Sequence, residues 1–283
     1  MPPGQLWKPT GQVEEMADGV FFLHTFANMT VDAAPVVAAI YTHGHADHAL
    51  GLPPFLAGAR ERGRPGPRIV GHRNVAARFA RYRRTNGDNA LINARQFGIA
   101  PTWPQDYDAP DLVYDTTLTF TAGEVGLALT HARGETDDHT WIWWAERRIL
   151  WTGDQFIWVA PDAGNPPKVQ RYAGEWAASL RDMRTREPEL LIPGHGVPIV
   201  GRARVAQALD DTAEWLETLE RETLARMNAG AAAAGDLALA GHLVDWAVAA
   251  DPDARAAHAA RAAIYAARAK DAAAVRGGPG PAQ

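Results

Sequence analysis

Residues 42–48, with the sequence THGHADH, constrain this chain more than any other segment. They bring three imidazoles and a carboxylate together directly after an apolar run, Val36–Tyr41, that predicts a buried strand. A tight turn at the end of a strand can direct the first two histidines to one side and the Asp47-His48 pair to the other. The pattern therefore predicts two adjacent metal ions held by nitrogen and oxygen ligands. Such ligands suit zinc, and also iron or manganese.

Composition narrows the chemistry further. The 283 residues contain no cysteine, so thiolate ligands, disulfides and a cysteine nucleophile are excluded. The formal net charge of −5 gives no global basic field, and we expect no nucleic-acid partner. No apolar run approaches the roughly 18 residues that span a bilayer, and we expect no membrane association. The first residues lack a basic-then-apolar signal pattern, so we expect a cytoplasmic protein.

Before residue 200, short β-rich runs alternate with helix-like stretches, which predicts an α+β layered core. The predicted strands are Val20–His24, Val36–Tyr41, Arg68–Val70, Thr117–Phe120, Gly126–Thr130, Thr140–Trp144, Arg148–Trp151 and Leu190–Ile192. The predicted helices of this part are Arg73–Arg83 and Glu175–Arg186.

After residue 200 the pattern becomes helical. Apolar residues recur at steps of three and four from Val205 to Met227, and two further helices are predicted over Asp236–Ala250 and Asp253–Ala274. Roughly half of residues 229–275 are alanine, which favours helix but buries little area. These helices therefore need a partner surface, which could be the body of the same chain or a second subunit. We expect residues 1–202 to form a catalytic domain and residues 203–283 to form a helical region that mediates a homodimer.

The motif at 42–48 resembles the HxHxDH signature of the metallo-β-lactamase superfamily. Asp154 follows a predicted strand where that family keeps a metal-bridging aspartate, and His195 follows another where it keeps its last histidine. Glu135 lies in the loop that usually offers a third histidine to the first metal. The resemblance implies an αββα sandwich with a C-terminal helical extension.

The same resemblance implies a ligand set. His43, His45 and Glu135 would bind one metal; Asp47, His48 and His195 would bind the other; Asp154 would bridge them. Asp47 and Asp154 are also the residues we expect to act in catalysis.

The chain resembles the alkylsulfatase branch of the superfamily in its carboxylate at position 135 and in the stretches 134–144, 162–166 and 227–230. The last three helices are similar to the dimerisation region of those enzymes. That branch bridges its metals with Glu, whereas Asp154 is the ordinary superfamily residue. Relative to the family, the N-terminal sheet and residues 231–234 look shortened. Glu135, in place of the usual neutral histidine, also adds one negative charge to the site.

The third ligand of the first metal has three candidates. Glu135 is preferred, but His131 and His139 flank it by four residues each and either could replace it. His139 stands between Asp138 and Thr140 at the start of a strand, so we favour a role next to the substrate. Asp137 and Asp138 could supply the hydrogen bonds that metal ligands need.

Several polar residues could bind a substrate with an anionic head group, since arginine matches sulfate or phosphate oxygens. One group belongs to a locally basic, amide-rich segment, and the other follows Asp154 along the chain. With His139, the candidates are Arg81, Tyr82, Asn93, Arg95, Asn165, Lys168 and Arg171.

These observations predict a hydrolase that uses two divalent ions to activate water on a small anionic ester, with alkyl sulfates as the leading substrates. The alternative is a hydrolase of the same fold that acts on carboxylic esters, lactones or phosphoesters, because the fold and the metal motif do not distinguish these substrates. An iron redox enzyme is disfavoured by His45, which stands where a carboxylate would be expected. A degenerate, non-catalytic scaffold is suggested by the two shortenings and opposed by the intact ligand set.

Overall fold

The structure is a computed structural model that describes residues 13–17, 20–23, 29–32, 36–158, 160–164, 171–228, 237–250 and 255–276. Two candidate substrate contacts, Asn165 and Lys168, lie outside the described residues, as does the shortening expected at 231–234. No helix of the described part is long and apolar enough to cross a bilayer.

Twelve strands form three sheets in the described part of the chain. They are β1 (Val13–Ala17), β2 (Val20–Leu23), β3 (Met29–Asp32), β4 (Ala38–Ile40), β5 (Arg68–His72), β6 (Leu112–Tyr114), β7 (Thr117–Ala122), β8 (Val125–His131), β9 (Thr140–Trp144), β10 (Ile149–Ile157), β11 (Leu190–His195) and β12 (Ile199–Val200). The large sheet has the order β12-β11-β10-β9-β8-β7, β4-β5-β6 form a small parallel sheet, and β1-β2-β3 form an antiparallel meander.

Eight helices accompany these strands in the same ranges. They are α1 (Ala46–Ala49), α2 (Pro53–Glu61), α3 (Asn74–Arg84), α4 (Asn86–Phe97), α5 (Ala173–Thr185), α6 (Arg202–Asn228), α7 (Leu237–Ala250) and α8 (Arg255–Arg276). All the predicted strands and helices are present, with shifts at their ends. The sequence analysis missed β1, β3, β6, β12, α1, α2 and α4.

The six-stranded sheet and the parallel sheet β4-β5-β6 face each other and carry helices on their outer sides. Val70 and Tyr114 of the small sheet pack against Leu129 and Ile142 of the large sheet. Behind the small sheet, Phe79 of α3 closes a second cluster. The expected αββα sandwich is therefore confirmed.

The opposite face of the large sheet is covered by α5 and α6. Alternate residues of β9 and β10, among them Trp141 and Leu150, point to this face because side chains alternate along a strand. They meet Trp176 of α5 and Leu209 of α6, both fully buried. The helix after residue 202 thus belongs to the core of the sandwich, although the boundary at 202 was predicted to separate two domains. That boundary stays a prediction.

Two strands run further than predicted, and both extensions carry site residues. β10 was expected to end at Trp151 but continues to Ile157, and its register with β11 shifts both before and after Gly153, where φ is 50°. Glycine tolerates this left-handed conformation, so the strand can bend and continue through Asp154. β11 continues past Ile192 to His195 and pairs in parallel with β10. Asp154 and His195 therefore lie on adjacent strands.

Candidate metal centre

The metal motif lies where the parallel sheet β4-β5-β6 meets the six-stranded sheet. The Tyr41 amide donates to the Val70 carbonyl and so extends the pairing of β4 by one residue. The Thr140 amide at the start of β9 then donates to the Thr42 carbonyl at 2.6 Å. This bond attaches the motif to the large sheet, which supplies the other candidate ligands.

A first group of side chains contains His43, His45, Glu135 and Asp154. Nε2 of His43 lies 2.9 Å from Nδ1 of His45, and Oε2 of Glu135 lies 3.4 Å and 3.3 Å from these two nitrogens. Oδ2 of Asp154 lies 3.8 Å from Nε2 of His43. These four ligand atoms lie within 4.8 Å of one another, close enough to bind one metal ion.

A second group contains Asp47, His48 and His195. Nε2 of His48 and Nε2 of His195 lie 3.1 Å apart, and Oδ2 of Asp47 lies 3.5 Å from the first and 3.2 Å from the second. Asp154 reaches this group as well, with Oδ1 3.3 Å from His48 Nε2 and Oδ2 3.4 Å from His195 Nε2. Asp154 therefore contacts both groups.

Two glycines make room for Asp154. A Cβ on Gly194 would overlap Oδ1 of Asp154 and approach His48 Cε1 to 3.0 Å. A Cβ on Gly153 would lie 2.7 Å from Cβ of Thr42. Larger residues at either position would displace the carboxylate or the motif.

The charges of this cluster favour a cation. Burial would lower the pKa of His195, but the hydrogen bonds that it donates to the Asp154 and Asp47 carboxylates raise it to about 11. The pKa of His48 is also raised, because Asp154 and Asp47 outweigh its burial. Burial and the neighbouring histidines instead hold the pKa of His43 well below its ordinary value, so that His43 is neutral. The carboxylates thus hold positive charge at the place where a divalent ion would supply it.

The donor atoms fit metal binding. Two ligand atoms about 2.0–2.1 Å from a tetrahedral zinc ion are about 3.3 Å apart, close to most of the distances in both groups. Oε2 of Glu135 and Oδ1 of Asp154 are buried and accept no hydrogen bond from the described residues. Buried carboxylate oxygens without donors are costly, and a metal ion would satisfy both.

Of the three candidates for the remaining ligand of the first group, the structure brings only Glu135 to the cluster. His139 is buried, stacks on His43 with ring centroids 4.8 Å apart, and accepts a hydrogen bond from the Asp154 amide at Nε2. Burial lowers the pKa of His139 to about 4, so it is neutral. His131 contacts the carbonyl of His139 through Nδ1 and stacks on His72 at 3.7 Å. His139 thus orients the backbone of Asp154. Metal ligation by Glu135 stays a prediction.

A buried ion pair holds together the two loops that carry His43, His45 and Glu135. Nε of Arg78, on α3, donates to Oδ2 of Asp138 at 2.9 Å, and its Nη2 donates to Asp137. Oδ2 of Asp138 also accepts the amide of Gly44 at 2.8 Å, between the two histidines. Asp138 therefore supports the motif through the Gly44 amide, and Asp137 acts through its contact with Arg78.

A cleft of about 200 Å³ opens beside the first group. Its walls include the predicted contacts Arg81, Tyr82 and Arg171. Asn93 and Arg95 lie outside its lining, and the amide of Asn93 donates to the carbonyl of Asn89.

Arg171 lies against Glu135, because Nη1 is ion-paired with Oε1 and also donates to the Glu135 carbonyl at 3.2 Å. This contact was not foreseen in the sequence analysis.

The sequence analysis also missed Arg78, Ile92 and Trp103 as lining residues. For Arg78 a signal was present, because it precedes Arg81 and Tyr82 by three and four residues, steps that place the three side chains on one face of α3. Trp103 lies between helix and strand, where no periodicity identifies it.

The fold agrees with the comparisons to known proteins. The model of the metallo-beta-lactamase superfamily matches residues 22–195, which is more than half of the chain. The chain therefore belongs to the metallo-beta-lactamase superfamily.

Alkylsulfatases are among the known proteins that this chain resembles. The chain is 22% identical over 219 residues to a linear primary-alkylsulfatase from Pseudomonas sp. (strain ATCC 19151), covering 69% of this chain and 41% of that protein. It also resembles a double mutant of the sec-alkyl sulfatase PisA1, with a TM-score of 0.62 and 16% identity over 90% of this chain and 62% of that one.

A second structure, of the stereoselective inverting sec-alkylsulfatase from Pseudomonas sp., gives a TM-score of 0.59 and 20% identity over 78% of this chain and 44% of that one. The chain thus spans less than two thirds of the length of these relatives. The structural likeness, at such identities, shows the fold.

Proposed function

We propose that this protein is a metal-dependent hydrolase of alkyl sulfates or related anionic esters. It would use a dinuclear centre, for which zinc is the favoured metal. The observation that carries the proposal is the convergence of seven side chains into two adjacent groups that both contact Asp154. Two divalent ions bound there would lower the pKa of a shared water towards 7 and stabilise charge on the oxygens of the ester.

The protein's own residues would hold and orient this centre. His139 fixes the backbone of Asp154, and the Arg78–Asp138 pair fixes the turn between His43 and His45. Asp47 is partly exposed at the edge of the second group, where it can accept a proton as well as bind metal. Such supports matter because ligands must keep their geometry during the reaction.

The cleft supports an anionic substrate with an apolar part. Three guanidinium groups line it, but those of Arg78 and Arg171 are ion-paired with carboxylates. Among the described residues, Arg81 pairs with no carboxylate and lies 5.6 Å from the centre of the Tyr82 ring. Arg81 is therefore the cation best placed to bind a sulfate or another anionic group, while Ile92 and Trp103 offer apolar surface.

The names of the relatives favour sulfate esters over the other esters that this fold could hydrolyse. The test is a panel of a medium-chain alkyl sulfate, a matched carboxylic ester, a lactone and a phosphodiester, each assayed with fully metallated protein. Metal-dependent turnover of the sulfate is expected. Turnover of another ester without the sulfate would refute the sulfatase assignment, and no turnover of any member would favour the non-catalytic scaffold.

A matched pair of variants tests the role of Arg81. Arg81→Gln should raise KM for the anionic substrate by about tenfold or more, because a charged hydrogen bond contributes about 1.5–3 kcal/mol. Arg84→Gln, at the exposed end of the same helix, should leave KM unchanged. Equal KM values in both variants would exclude Arg81 from substrate binding.

We also propose that α7 and α8 mediate a homodimer. Many of the described side chains of α8 are exposed, and its sequence is rich in alanine.

A further inference from the structure

Arg171 and Glu135 form a buried ion pair at the edge of the first ligand group. The side chain of Arg171 is 6% exposed and that of Glu135 is 11% exposed. Nη1 of Arg171 is paired with Oε1 of Glu135 and also donates to its carbonyl. A buried charge is costly unless it is paired, so the guanidinium of Arg171 depends on Glu135 at this position.

The backbone places Arg171 at this position. The amide of Tyr172 donates to the carbonyl of Gly134 at 2.9 Å, which attaches the residues before α5 to the loop that carries Glu135. The nearest other carboxylate to the guanidinium is Asp162, with Oδ2 3.8 Å from Nη2. Glu135 is therefore the principal partner of Arg171.

The two oxygens of Glu135 have different surroundings. Oε1 is occupied by Arg171, whereas Oε2 accepts no hydrogen bond from described residues and lies near the ring nitrogens of His43 and His45. The guanidinium thus leaves one oxygen facing the ligand group.

The pair also changes the charge of the site. A glutamate where the family usually has a neutral histidine adds one negative charge, and Arg171 cancels it. The formal charge of the ligand set is then that of Asp47 and Asp154 alone, as it would be with a histidine at position 135.

We propose that Arg171 is a countercharge built into the first metal site: it neutralises Glu135 and directs Oε2 towards the ion, so that a carboxylate can replace a histidine there. This inference rests on the proposed metal centre. Arg171 is accordingly a positioning residue, and its contact with the substrate is not required.

The proposal predicts that Glu135 and Arg171 can be replaced only together. In Glu135→His the histidine is neutral and the charge of Arg171 remains beside the ion, so affinity at the first site should fall by about tenfold or more. Adding Arg171→Met removes that charge and should recover at least about tenfold of the lost affinity. A residue that only binds substrate, or only packs, would give no recovery.

The measurement is cobalt binding, followed by the absorption spectrum of the bound ion and by competition with a chromophoric chelator. Two controls separate charge from shape. Arg171→Lys in the Glu135→His background keeps the charge and should not restore binding. Arg133→Met in that background removes a nearby arginine that is paired with Glu175, and it should not restore binding either.

A second pair of variants covers the case in which Glu135→His does not fold. Glu135→Gln keeps the shape of the side chain, and Glu135→Gln/Arg171→Met should again bind the first cobalt ion more tightly than Glu135→Gln alone. Wild-type protein with two bound ions and no recovery in either pair would overturn this inference alone. Wild-type protein that binds no metal would overturn the proposed function together with it.

Discussion

Replacing Arg78 with methionine tests whether the buried ion pair behind the metal motif stabilises the fold. The Arg78 side chain is 4% exposed and that of Asp138 is 0% exposed, and their contact is 2.9 Å long. Arg78→Met preserves much of the side-chain volume but leaves the Asp138 carboxylate buried, with only the Gly44 amide as a described backbone donor.

The cost follows from this uncompensated charge. Removing one partner of a buried ion pair typically destabilises a protein by about 3–5 kcal/mol. Burial raises the pKa of Asp138, but Arg78 outweighs it and holds that pKa below its ordinary value, so the carboxylate is charged at neutral pH. The double variant Arg78→Met/Asp138→Asn removes the charge as well, and it should lose at least about 1 kcal/mol less than Arg78→Met.

The assay is equilibrium unfolding in urea, followed by tryptophan fluorescence at one fixed metal concentration. Arg68→Met is the matched control, because Arg68 and Asp111 form a 2.7 Å pair whose side chains are 58% and 50% exposed. An exposed pair contributes about 0–1 kcal/mol. If Arg78→Met cost no more than Arg68→Met, the reasoning about burial would be refuted.

Three further predictions address the bridge, the assembly and the substrate. Gly194→Ala should release at least one metal ion, because its Cβ would displace Asp154. Gly126→Ala is the control, since a Cβ there meets nothing within 4 Å, and it should keep the metal content. Equal metal content in the two variants would contradict this prediction. A chain that ends at Asn228 keeps α6 over the core and should sediment as a folded monomer, and a dimer would show that α7 and α8 are not the interface. For alkyl sulfates, kcat/KM should rise by up to about fourfold per methylene over the first carbons, since burial of a methylene is worth about 0.8 kcal/mol. The rise should then stop, because a cleft of about 200 Å³ is smaller than the usual pocket of about 300–1,000 Å³, and a steady rise to long chains would contradict the cleft assignment.

Local patterns predicted the layers of this fold well. Val36–Tyr41 and Thr140–Trp144 are apolar runs, and both contain the expected strands. The short β6, by contrast, has only three residues and depends on its pairing with β5. The helix Asn86–Phe97 begins with Asn-Gly-Asp, which is typical of a turn, so the sequence favoured a loop there.

The sequence could not predict which surface each apolar face packs against, or which charged residue each ion pair contains. The apolar face of α6, with Val205 and Leu209, was recognised from its periodicity, but only the structure shows that this face packs on the sandwich core. Arg171 was expected to bind substrate, and only the fold brings it to Glu135. Ion pairs between residues distant in the chain carry no local signal, whereas the ligands at 42–48 could be found because their spacing is itself the signal.

The metal content of freshly purified protein tests the central claim most directly. Elemental analysis should find about two divalent ions per chain, and Asp154→Ala should lose at least one, because Asp154 contacts both ligand groups. A wild-type chain that contains no metal, and takes up none when zinc, manganese or iron is added, would contradict the account.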